Sequence, residues 1–110
     1  MLPKQARLTQ EKDFSLVYKQ GRRVASHNLR LFFLKTSRNF NRFGFVISKK
    51  AIAHSTGRNR VKRILRAAIW QERRQLKTAY DIIIQGLSGS ASVSPHALCE
   101  ELLKLFEKVP

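Results

Sequence analysis

The chain has 110 residues, the usual length of one domain built around one core. Its 43% hydrophobic content and seven Phe exclude a disordered basic tail, and its single cysteine, Cys99, excludes an internal disulfide. The 22 Lys and Arg stand against 7 Asp and Glu, a formal charge of +15; a folded core this cationic repels itself, which points to a polyanionic partner.

Residues 1–8 are expected to form an extended N-terminal segment. Thr9 can cap a first helix that lines up Phe14, Val17 and Tyr18 at i, i+3 and i+4, and Gly21 can end it. Strand-like runs follow at residues 23–27, 29–34 and 43–48, the last two separated by a polar stretch with two asparagines. They read as a meander of antiparallel strands. After Lys49 and Lys50, a loop at residues 51–57 leads into a long helical pattern over residues 58–77. Turned by about 100° per residue, its Val61, Ile64, Leu65, Ala68 and Leu76 share one arc. Residues 81–85 form a short strand whose Ile82, Ile83 and Ile84 are apolar on both faces, so it belongs inside the sheet. Residues 86–93 loop. Ser94 and Pro95 then start a last helix that buries Leu98, Leu102, Leu105 and Phe106. The order α-β-β-β-α-β-α predicts an α+β sandwich in a single domain, 1–110, with one sheet against helices.

The charge is concentrated. Ten basic residues lie between Lys49 and Lys77 with Glu72 the only acid, whereas residues 80–110 hold two lysines against Asp81, Glu100, Glu101 and Glu107. A merely solvated helix face usually mixes signs. On the long helix Asn59, Lys62, Arg63, Arg66, Arg73 and Lys77 project opposite the apolar arc, a ridge able to follow a phosphate backbone. Arg58, Asn59 and Arg60 are placed at the helix start, where free backbone N–H groups and the dipole attract phosphate. Trp70 lies on the same face, open either to base stacking or to cover by the sheet or a loop. No apolar run approaches the roughly 20 residues that cross a bilayer, residues 1–9 lack a signal-like stretch, and no segment reads as a basic interfacial helix. A cytoplasmic protein without a membrane partner is expected.

Catalytic patterns are weak. His27, His54 and His96 match no zinc spacing, and no set of carboxylates is evident in the sequence to hold the metal ions of a nuclease. His54, Ser55 and Thr56 read as a polar loop, since no acid is identifiable to orient a nucleophile–base pair.

Ser48, Lys49 and Lys50, followed by Arg58, Asn59, Arg60, Val61, Lys62, Arg63 and Arg66, resemble the signature of the bacterial ribonuclease P protein subunit family. The resemblance extends to Asp13, Phe14, Val17, Tyr18 and Gly21 before the signature and to Asp81, Ile82, Ile83 and Ile84 after it. It implies a fold similar to the second domain of ribosomal protein S5, with a left-handed βαβ crossover around the basic helix, against the usual right-handed rule. It also implies an accessory role. A catalytic RNA would carry out Mg²⁺-dependent hydrolysis that removes the 5′ leader of precursor tRNA, with Mg²⁺ held mainly by RNA and no catalytic or metal-binding residue on the protein. The implied partners are that RNA and precursor tRNA, with no obligate protein partner.

By the same resemblance, Lys49, Lys50, Arg58, Asn59, Arg60, Lys62, Arg63 and Arg66 would contact the catalytic RNA, while Phe14, Tyr18 and Phe32 would line a cleft for the single-stranded leader. From spacing alone, an i, i+4 pair such as Phe14 and Tyr18 is more often core. Neither Trp70 nor the loop 51–57, which lacks the Lys or Arg of many relatives, is assigned a contact. A ribosomal or other structural RNA-binding protein is the competing expectation, and a self-sufficient nuclease the third.

Overall fold

The computed structural model describes residues 2–77 and 79–110. In chain order it forms helix α1 (Glu11–Gln20), strands β1 (Arg22–Ala25), β2 (Leu29–Lys35) and β3 (Arg42–Val46), helix α2 (Ser55–Gln71), strand β4 (Tyr80–Gly86) and helix α3 (Pro95–Phe106). The four strands lie in the order β1-β2-β4-β3. β2 pairs antiparallel with both β1 and β4, whereas β3 runs parallel to β4. The expected meander therefore stops after one hairpin. β4, apolar on both faces, takes the interior place beside β2, and β3 is displaced to the edge, joined to β4 by the α2 crossover.

Strand alternation sorts the core into two layers. Leu29, Leu31, Phe33, Ile82 and Ile84 face α2 and α3 together with Val61, Leu65, Leu98 and Leu102. Ile83 faces the other way, against Val17 of α1, with Phe14, Phe32, Leu34 and Val46 partly buried around it. The second layer is small because a single ten-residue helix covers that side of the sheet.

The ends of the helices are set by tertiary contacts as much as by local signals. Gln10, not Thr9, occupies the N-cap of α1, and Glu11 and Asp13 oppose the dipole in its first turn. Gly21 ends α1 as expected: a Cβ there would lie 2.7 Å from the Phe33 carbonyl oxygen, so glycine lets the chain turn tightly onto β2. Ser94 caps α3, its hydroxyl accepting from the Ala97 N–H at 3.1 Å. α2 stops at Gln71, well before residue 77, because the chain must reverse to deliver Tyr80 beside Lys35. Asn41 holds that reversal from both sides, donating to the Lys77 carbonyl at 2.6 Å and accepting from the Tyr80 N–H at 2.9 Å.

α3 is fastened to the β1–β2 turn by Glu101. Its carboxylate accepts from the Asn28 backbone N–H at 2.7 Å, from the Asn28 side-chain amide at 2.8 Å and from the Ser26 hydroxyl. Burial pushes this carboxyl up, but the bonds from Ser26 and Asn28 and the nearby His27 outweigh it and hold the pKa below the ordinary carboxylate value. A depressed folded-state pKa contributes stability above the unfolded pKa of about 4.3, and that contribution is lost as pH falls through the folded value. Glu101→Gln should therefore cost about 1–2 kcal/mol at pH 7 by urea denaturation, and the gap to the parent should narrow as the pH drops below about 4.

Candidate nucleic-acid interface

The connection from β3 to α2 presents the first predicted contacts. Ser48 forms a tight turn, accepting at its carbonyl from the Ala51 and Ile52 N–H groups at 3.2 and 3.1 Å, and Lys49 and Lys50 stand exposed at the tip. Ile52 is buried beneath. α2 then begins at Ser55, one turn earlier than expected. Gly57, taken from sequence as loop, lies inside the helix: a Cβ there would come within 2.9 Å of the Ile52 side chain, so its glycine is a packing notch. In consequence Arg58 does not lie at the helix end. Its N–H is already bonded to the His54 carbonyl at 3.1 Å, and its Nη1 donates to the Ile52 and Ala53 carbonyls at 2.8 Å each. The positive end of the dipole is at Ser55, Thr56 and Gly57, whose first turn contains no acid.

Beyond that point α2 carries the predicted ridge. Thr56, Asn59, Arg63 and Arg66 line one hollow of about 390 Å³ along the helix. Arg60 and Lys62 flank it on opposite sides, about 160° apart around the axis. Arg73 and Lys77 of the predicted ridge are exposed but make contacts within the chain. The Arg73 guanidinium sits 3.7 Å above the Trp70 ring and bonds the Trp70 carbonyl, and Lys77 Nζ donates to the Val109 carbonyl at 2.6 Å. Trp70 itself is half-buried, packed against the core.

The predicted aromatics lie on the α1 side of the sheet, and of the three Tyr18 and Phe32 are in ring contact. Tyr18 and Phe32 pack edge to face with ring centroids 4.8 Å apart, and Tyr18 remains 45% exposed. Burial of the rest of the ring pushes the Tyr18 hydroxyl up, keeping it a neutral donor. Phe14 lies over Gly44 of β3, where any Cβ would fall 2.6 Å from its ring. Two residues not singled out from sequence share this side of the sheet. Arg30 lies two residues from Phe32 on β2, and its Nη1 donates to Oε1 of Gln85, its register partner on β4, at 3.4 Å. The Arg30 Nε is buried without a partner. Strand alternation from Phe32 was the signal that could have found Arg30.

Arg66 joins the two surfaces. Its guanidinium lies 5.6 Å from the Phe45 ring centroid, and it lines both the α2 hollow and a second hollow of about 170 Å³ shared with Leu8, Phe14, Gly44 and Phe45. The basic ridge and the aromatic side of the sheet thus meet around the β3 edge.

α1 is held in register by an ion-pair cluster. Arg42 on β3 makes a bidentate pair with buried Asp81 (2.9 and 2.8 Å) and reaches Asp13 of α1 at 3.4 Å, while Arg38 adds a contact to Asp81 at 3.3 Å. The hydrogen bond to Asp81 pushes the Arg42 guanidinium still further up. Among the described residues no three of His, Cys, Asp and Glu gather so as to hold a metal ion. The Cys99 thiol is pushed up by burial and then by Glu72, the reverse of activation.

Residues 2–110 match the family described as Ribonuclease P. The chain belongs to that family. The ribonuclease P protein component of Syntrophomonas wolfei is 30% identical over 98% of this chain and 90% of its own length, and that of a Synechocystis species is 35% identical over 97% and 87%. In fold, the chain is similar to the RNase P protein from Thermotoga maritima (TM-score 0.88, 24% identity, 94% of this chain and 97% of that one). It is also similar to the Staphylococcus aureus RNase P protein (TM-score 0.86, 22% identity, 93% of both chains). Family membership puts the chain in tRNA processing.

Within this family member the Arg42 cluster should matter for stability before function. Arg42→Ala would leave buried Asp81 with only the longer contact from Arg38, and a loss of up to about 3 kcal/mol in urea unfolding is expected. Asp13→Asn, touching only the longer arm, should cost under about 1 kcal/mol.

Proposed function

We propose that the chain is the accessory subunit of ribonuclease P that docks on the catalytic RNA through α2 and holds the 5′ leader of precursor tRNA across the sheet face. The observation that carries this reading is the continuity at Arg66, which borders both the cationic hollow of α2 and the hollow over Phe14 and Gly44. A single strand lying on Tyr18 and Phe32 would stack without reading sequence strictly, since every base offers a π face. Lys49, Lys50, Asn59, Arg60, Lys62, Arg63 and Arg66 would meet phosphates of the folded RNA, with Arg66 placed to touch either strand. A phosphate-following surface of this kind gives affinity that falls steeply with salt.

The chemistry in this reading belongs to the RNA. Mg²⁺ would activate water and stabilise the leaving oxygen of the scissile phosphodiester, held mainly by RNA. The protein's nearest carboxylates, Asp13 and Asp81, are engaged with Arg42 and do not fit a metal site. What the chain contributes is position: it neutralises phosphate repulsion between two RNAs and fixes the leader beside the cleavage point, in the cytoplasm and with no further protein required.

Reconstitution with the cognate catalytic RNA at low Mg²⁺ should accelerate leader removal, whereas cleavage by RNA-free protein, or no effect on binding or cleavage, would refute the assignment. Phe14→Ala should chiefly weaken precursor over mature tRNA. Arg60→Ala should weaken association with the catalytic RNA and lower the log–log salt slope by roughly one unit or slightly less. Equal loss of both functions in both folded variants would reject the two-surface arrangement.

A further inference from the structure

Arg58 differs from the basic residues around it. Three and seven residues before Val61 and Leu65, it falls within the buried arc of α2 and is half-buried, whereas Asn59, Arg60 and Arg63 are exposed. Its guanidinium is directed back along the chain, where one nitrogen, Nη1, donates to both the Ile52 and the Ala53 carbonyl at 2.8 Å. These carbonyls belong to the link between strand and helix, outside any ladder; Ile52 is buried, and a buried carbonyl left without a donor is costly, whereas Ala53 is exposed.

The link is therefore held at two ends. Ser48 closes it on the strand side, its carbonyl and hydroxyl accepting from Ala51 and its carbonyl also from Ile52. Arg58 closes it on the helix side, with Ile52 seated in the notch at Gly57 between them. Lys49 and Lys50 stand exposed at the tip of that turn. A guanidinium suits this task because it keeps its charge when partly buried and presents several donors in a fixed plane.

We infer that Arg58 is a positioning residue: it fixes the turn bearing Lys49 and Lys50 against the start of α2, so that the two lysines, and not Arg58, meet RNA phosphates. This rests on the reading of Lys49 and Lys50 as RNA contacts. Ordering the turn before binding lowers the entropic cost of placing two long side chains on a polyanion. A direct contact and a clamp make opposite predictions about additivity, because residues acting through one element do not add.

Two measurements separate them. In the free protein, Arg58→Ala should raise amide exchange at residues 51–54 by about tenfold or more while the amides of Ile82, Ile83 and Ile84 stay protected. Unchanged exchange in the turn would overturn the clamp. Should Arg58→Ala lose protection throughout the sheet, Arg58→Met, which keeps an apolar stem and removes the donors, takes its place. For the catalytic RNA, Lys49→Ala with Lys50→Ala should lower affinity by about tenfold or more. Adding Arg58→Ala to that pair should cost no more than about a further twofold, and an undiminished Arg58 effect in that background would make Arg58 a direct contact. If the lysine pair has no effect on affinity, the inference fails at the reading it rests on, and the exchange result still reports whether the clamp exists.

Discussion

Ile82 and Ile84 point to one side of the sheet and Ile83 to the other, so β4 needs an apolar layer on each face. Each of the three is essentially fully buried, a contribution of roughly 1.5–3 kcal/mol apiece as an upper bound. Satisfying both faces puts α1 on one side and α2 with α3 on the other. It also sends β3 to the edge, parallel to β4, because the chain leaves β3, crosses as α2 and returns into the centre. The functional geometry descends from this arrangement. The edge position of β3 is what lets Arg66 on one side and Phe14 on the other approach each other around Phe45 and Gly44.

Much of this is legible in residue pattern. The stripe on α1, the Ser94 cap and the interior character of residues 82–84 follow from local periodicity and cap chemistry, which the fold leaves intact. The parallel pairing of β3 is not local: nothing in residues 42–46 says which strand lies beside them, adjacency in sequence favours a meander, and only the family resemblance implies the βαβ crossover that the fold has. The start of α2 was hidden by Gly57, a residue that ordinarily weakens a helix and here admits Ile52. The end of α2 was hidden because residues 72–77 are all good helix formers, and only the demand of Tyr80 for its place beside Lys35 turns the chain.

The candidate site shows the same division. Exposure of the α2 ridge follows from amphipathicity, so Asn59, Arg60 and Arg63 stand where the pattern puts them. Arg58 was grouped with them by charge and by a motif, although its rotation about the axis places it with Val61 and Leu65. Charge identifies what a residue can bind, but rotation identifies which way it faces, and at Arg58 the two disagree. Arg73 and Lys77 differ in another way: past the last turn of the helix, their long cationic side chains reach a ring and carbonyls of the chain itself.

The distribution of acids explains why the ridge is left uncompensated. Of seven carboxylates, Asp81 and Asp13 are paired with Arg42, Glu101 holds the Ser26–Asn28 turn, and Glu100 meets His96 at the surface of α3. None lies between Lys49 and Gln71. Three of the carboxylates, Asp13, Asp81 and Glu101, thus join α1 and α3 to the sheet, and the exposed face of α2 keeps its mutual repulsion. A fold arranged in this way is more stable with a polyanion on α2 than without one, because binding removes repulsion that folding itself creates. On the proposed docking of RNA along α2, stability and RNA affinity are linked through the same charges. Added salt would relieve the free protein and would weaken that proposed docking, so the surface most costly to the isolated chain is the one a polyanion would complete.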